Sequence, residues 1–153
     1  MLHVGNDTLD KIGSFNTQIK TDRNGGVFVY AISSGGAVVG QPYPLMWRGS
    51  CYCATGLSAS YKARIGIPPA ALTSGCAGWF QIRGLVTGAQ GGATCFNGSY
   101  GHAVYWGGAT GLGAADSAYS GFIHQVGILA EDVGGGGSTT ANIWLVGKRS
   151  QSL

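Results

Sequence analysis

The chain is 153 residues long and contains 29 glycines, nine Lys plus Arg and six Asp plus Glu, for a formal net charge of +3. With 44% apolar and 10% charged residues, this composition excludes a highly charged disordered tail and a coiled coil, which needs charged flanks on long heptads. Collagen is excluded as well, because these glycines cluster instead of recurring at every third position, and what remains is one turn-rich globular domain with a sizeable core.

Charge is concentrated at the start of the chain, in Asp7, Asp10, Lys11, Lys20, Asp22 and Arg23. Residues 1–24 therefore read as a polar, extended N-terminal arm, and residues 25–153 as a single β domain. From Asn24 to Gly147 the charged residues are Arg48, Lys62, Arg64, Arg83, Asp116, Glu131 and Asp132. A body so neutral either meets other protein over much of its surface or presents a Gly/Ser/Thr-rich face to water. The start, Met1-Leu2-His3-Val4-Gly5-Asn6-Asp7, lacks the basic and apolar regions of a signal peptide. Synthesis in a cytoplasm, and use without secretion through that route, is the expectation.

The body reads as short strands. Val27–Ile32 is apolar on both faces, which places it centrally or under a partner; it is also far short of the ~20 apolar residues of a membrane span. Ala37–Val39 follows after the turn Ser33-Ser34-Gly35-Gly36. In the next segment Ala59, Tyr61, Ala63, Ile65 and Ile67 alternate with Ser58, Ser60, Lys62, Arg64 and Gly66, the period of a half-buried antiparallel strand. Pro68-Pro69 ends it, because neither residue donates to a ladder. Trp79–Gly84 alternates too, with Phe80 and Ile82 inward and Trp79, Gln81 and Arg83 outward. His102–Trp106 and Phe122–Ile128 are further strands, and Ala141, Ile143 and Leu145 oppose Asn142, Trp144 and Val146 in a last one. Asn97-Gly98, Gly107-Gly108 and a long tip at Gly134–Gly137 supply turns. About seven or eight short strands at this spacing predict an all-β fold, an antiparallel β-sandwich or barrel. Ile65-Gly66-Ile67 before Trp79–Gly84 echoes Val126-Gly127-Ile128 before Ile143–Gly147. Either a duplication or two hairpins under the same local constraints produces such an echo.

Catalytic chemistry has little to draw on. Cys51 and Cys53 are one residue apart, not the C-x₂₋₄-C of a zinc knuckle, and with Cys76 and Cys95 they read as reduced, mostly buried thiols. His3, His102 and His124 belong to no recognisable motif. Glu131-Asp132 reads as a solvated turn, so paired-carboxylate chemistry is nearly without donors. No enzyme activity, metal or cofactor is expected. The one basic pair, Lys148-Arg149, is too little for a nucleic-acid-binding stripe, and no membrane partner is expected either. The aromatics carry the remaining signal. Trp79 and Trp144 fall on outward faces and Trp106 shares a face with His102 and Val104; such tryptophans anchor protein interfaces, bind sugars, or pack against a second sheet.

Gly78-Trp79-Phe80-Gln81-Ile82-Arg83-Gly84 resembles the G-W-[VF]-Q-[VI]-x-G signature of small glycine-rich virion proteins of tailed bacteriophages. Ile65-Gly66-Ile67-Pro68-Pro69-Ala70-Ala71 upstream, and Val126-Gly127-Ile128 with Ile143-Trp144-Leu145 downstream, are similar in order. The resemblance spans about Val27 to Gly147; four cysteines, many aromatics and the Gly134–Gly137 run depart from it. It implies a capsid decoration, or cement, protein on the outer surface of the virion, bound to the major capsid protein and forming a homo-oligomer, trimer or dimer. In that setting Asp10, Lys11, Lys20 and Arg23 of the arm are expected to pair with charges of a neighbour, and Trp79, Gln81, Arg83 and Trp144 to line the interface. The alternative is a host-recognition or carbohydrate-binding module of a phage fibre or head.

Overall fold

The computed structural model describes residues 7–8, 19–47, 52–54, 64–91, 96–106, 112–114 and 124–146. Among them the chain is all-β with no helix. The strands are β1 (Asp7–Thr8), β2 (Ile19–Thr21), β3 (Val27–Ser33), β4 (Tyr43–Trp47), β5 (Tyr52–Ala54), β6 (Arg64–Gly66) and β7 (Cys76–Gln90), followed by β8 (Phe96–Gly98), β9 (Ala103–Trp106), β10 (Leu112–Ala114), β11 (His124–Leu129), β12 (Val133–Ser138) and β13 (Thr140–Leu145). Eleven of them lie on one hydrogen-bonded path, β12-β8-β10-β9-β11-β13-β7-β3-β5-β4-β6, with β1 paired to β7 and β2 to β3. Pairing is antiparallel except for β3 with β5 and β8 with β10. A lone bridge between Ile67 and Gln81 brings the end of β6 back to β7. It is not continued as a ladder, so the fold is sandwich-like and not a closed barrel.

β7 organises the molecule. Its first half pairs with β3, from Ala77 opposite Ile32 to Arg83 opposite Val27. Its second half pairs with β13, from Gly84 opposite Leu145 to Gln90 opposite Thr140. Phe80 and Ile82 enter one core with Val29, Ala31, Tyr43, Leu45 and Leu72, while Val86 and Ala89 enter another with Phe96, Val104, Trp106, Leu129 and Ile143. Ile65 and Ile67 at the β6 end join that second core, tying the two together.

The strand changes sheets at Gly84. Its φ is +96°, a region that side chains with a Cβ rarely adopt, and a Cβ there would lie 2.9 Å from the Gly26 Cα. Just before it, Gln81 braces the bend: its Nε2 donates to the carbonyls of Arg83 (3.1 Å) and Leu85 (3.0 Å). The Gln and the final Gly of the Gly78–Gly84 segment thus act together on the backbone.

The two halves repeat one connectivity. β3 runs parallel to β5, β5 forms a hairpin with β4, and β4 pairs with β6. Likewise β8 runs parallel to β10, β10 forms a hairpin with β9, and β9 pairs with β11. Ile67 then meets Gln81, as Ile128 meets Trp144. The connectivity therefore repeats over four strands in the same order, around the two segments that echo one another in sequence.

Several expectations change. Asn97-Gly98 belongs to β8, and the turn comes after it, where the Gly101 N–H reaches the Leu129 carbonyl. The run Gly134–Gly137 lies inside β12, as the irregular stretch between the residues that pair with β8, Val133 with Gly98 and Ser138 with Phe96. Ala37–Val39 contributes one bridge, Ala37 with Leu72, and no longer strand. The division after Asn24 falls inside the turn joining β2 to β3, where the Asp22 carboxylate accepts the N–H groups of Asn24 (2.9 Å) and Gly26 (2.7 Å). At β1 and β2 the expected arm is paired to its own body. Residues 58–63 and the turn Gly107-Gly108 lie outside the described residues.

Candidate interaction surface

The sheet β9-β11-β13-β7 gathers three exposed large apolar side chains, Leu85, Trp144 and Val146, on its outward side. Register places Ala103 opposite Ile128, Ile128 opposite Trp144, and Trp144 opposite Leu85. Residues paired in this way point to the same side of a sheet, so the four form one row across four strands. Ala103 and Ile128 are half-buried, whereas Trp144 is 37% and Leu85 41% exposed. Val146, at 44%, continues the face two residues beyond Trp144. The opposite side of the same strands is the second core, with Val104, Ile143 and Leu145 at 3% exposure or less.

A bulge in β11 makes the row possible. The register with β9 shifts between Gln125 and Gly127, which turns Val126 into the core and leaves Ile128 outward. Gly127 packs so close to the next strand that a Cβ would strike the carbonyl oxygen of Trp144. Gln125 braces this bulge by donating from Nε2 to the Gly127 carbonyl at 3.2 Å, as Gln81 braces the bend at Gly84.

The residues expected at an interface separate into distinct groups. Trp144 is exposed and lies in the row; Arg83 is exposed and lies two residues before Leu85 on β7. Trp79 and Gln81 are corrected: they do face away from the Phe80 core, but they are 2% and 8% exposed. Trp79 packs with Phe28, Tyr30 and Ala77 in a third cluster on the other side of the β3–β7 pair, its ring edge-on to Tyr30 at 4.9 Å. Lys20 of β2 stands with its Nζ 4.7 Å above the Trp79 ring, so its cation is engaged within its own chain. Arg23 sits in the β2–β3 turn and is exposed. Asp10 and Lys11 lie outside the described residues. Trp106 is fully buried.

The described carboxylates serve the backbone. Besides Asp22, Glu131 accepts from the Asn142 N–H at 2.6 Å and from its Nδ2 at 3.1 Å. Asp132 accepts the Tyr100 N–H at 2.8 Å. The pair read as a solvated turn is therefore a clamp holding the β11–β12 connection to β13 and to the turn after β8. His102 accepts the Ser99 N–H on Nδ1 at 2.9 Å in that same turn.

Cys76 is a free, half-buried thiol; Cys51 and Cys95 lie outside the described residues. Among the described residues no three His, Cys, Asp or Glu side chains gather as a metal site. The row at Trp144 was half legible in advance. Alternation marked Trp144 as outward, but Leu85 lies just past the Gly84 bend, and only the paired register joins it to Trp144. Comparison with protein-family models, with curated proteins and with solved structures returns no match.

Proposed function

We propose that this chain is a virion structural protein of a tailed bacteriophage, a capsid decoration protein that binds the major capsid lattice and stabilises the head. The observation that carries this reading is an exposed apolar row on a rigid β-sheet whose body is almost free of charge. Contiguous apolar patches on the order of 300–600 Å² commonly mark functional contacts. The resemblance of Gly78–Gly84 and its flanking segments to small phage virion proteins names the setting. A cement protein contributes by burying surface across capsomer joints, and repetition over a symmetric shell multiplies a weak contact by multivalency.

Co-sedimentation of the purified protein with empty capsids, with copies counted per particle, tests the reading. Hundreds of copies per particle are expected. A handful would mean a tail or vertex component, and none would overturn the proposal. A second reading, a carbohydrate-binding module, draws on Trp144, whose exposed ring shares the strand face with the polar Asn142. The burial of Trp79 and Trp106 removes two of the three tryptophans that such a face would use. Glycan-array binding by isolated protein would favour this reading.

A further inference from the structure

We infer that the Ala103–Ile128–Trp144–Leu85 row, with Val146 and Arg83 at one end, is the docking face, and that it takes a protein surface presenting an apolar ridge bordered by carboxylates. This rests on the decoration reading and assigns that ridge to the capsid lattice.

Three observations select this occupant. First, the face is apolar and its strongest member is a tryptophan, the residue type that most often carries interface energy. Second, its electrostatics are one-sided. Among the described side chains the carboxylates are those of Asp22, Glu131 and Asp132, and all three accept backbone N–H groups of their own chain. Arg83 has no such partner among the described residues and is exposed on β7, two residues before Leu85 across the Gly84 bend. A guanidinium beside an apolar row is met best by a carboxylate of the opposing surface. A second copy of this chain offers none of its described carboxylates free, because those are already engaged. Third, the row is small. The exposed parts of these side chains amount to a few hundred Å², short of the ~800 Å² per partner of a stable free-standing interface. A contact of this size holds on an array when neighbouring copies also touch one another, so that each is tethered at more than one point, which favours a lattice over an isolated dimer.

The test compares wild type with Trp144→Ser, Leu85→Ser and Arg83→Glu in co-sedimentation with empty capsids. The double variant Val38→Ser/Val39→Ser, which alters exposed apolar residues elsewhere (49% and 48%), serves as a control. Thermal midpoints establish that each variant folds, and sedimentation velocity without capsids gives the oligomeric state. Expected are a loss of about thirtyfold in affinity for Trp144→Ser and a loss for Arg83→Glu that shrinks as salt is raised. The control is expected to bind like wild type. Equal binding by wild type and the folded row variants would overturn this assignment and leave the decoration reading standing. No binding by wild type would overturn both. A wild-type oligomer that Trp144→Ser converts to monomer would overturn the lattice as occupant in favour of a second copy.

Discussion

Glycine here is a requirement of the backbone at a few positions and filler at others, and the difference is measurable. At Gly84 a side chain meets two obstacles, a φ of +96° and the Gly26 Cα at 2.9 Å from its Cβ. Gly84→Ala is expected to destabilise the protein by about 2–4 kcal/mol, read as a shift in the denaturation midpoint. Gly134, by contrast, has no positive φ, and a Cβ added there would meet nothing within 4 Å. Gly134→Ala removes freedom from the unfolded chain without strain, so a gain of about 0.4–1 kcal/mol is expected. Equal effects at the two sites would contradict the bend as described. Polar groups show the same contrast. Gln81 bonds two carbonyls, so Gln81→Leu leaves both unpaired and is expected to cost about 1–3 kcal/mol. The buried Trp106 Nε1 has no partner among the described residues, and within them its N–H adds desolvation cost without a compensating bond.

At the scale of elements, β2 illustrates what a strand does beyond its own hydrogen bonds. It pairs Ile19–Thr21 with Val27–Val29 and carries Lys20 over Trp79. Lys20→Ala is expected to cost about 0.5–1 kcal/mol, the range of a cation–π contact. Deleting residues 1–21 removes β1 and β2 together, and should lower the thermal midpoint and red-shift tryptophan emission as Trp79 meets water. An unchanged midpoint would show that the arm contributes nothing to the body.

The same elements show what alternation can and cannot predict. The doubly apolar Val27–Ile32 segment is buried on both faces, between the Phe80 core and the Trp79 cluster, as its pattern implies. Trp79 follows the period-2 rule as well, but periodicity distinguishes two faces without saying which is covered. The Gly134–Gly137 run has no side chains to alternate, so its place inside β12, between the two residues paired to β8, left no trace in the pattern. The bulge at Val126 is invisible for a related reason. It shifts the register by one residue, and only the partner strand records the shift.

For the whole molecule, the repeated connectivity raises the question of whether the two halves fold as one unit. Each half has its own core, one around Phe80 and Leu45 and one around Trp106 and Ile143. Two independent units would unfold in two steps. Against that, β7 supplies residues to both cores, and Ile65 and Ile67 of the first half are packed in the second core. Unfolding either half strips β7 of a partner along half its length and opens the other core to water, which couples the two. A single cooperative transition is therefore expected by calorimetry, with calorimetric and van't Hoff enthalpies equal. Phe80→Ala, in the first core, and Ile143→Ala, in the second, should each cost about 2–5 kcal/mol. At about 2–4 °C per kcal/mol for a chain of this size, both lower the same midpoint by on the order of 10 °C. If Phe80→Ala instead splits the transition, leaving the second step unmoved, the halves are energetically separate and β7 is only a covalent tether. A single displaced transition in both variants means that the Trp144 face rests on one cooperative unit built from both cores.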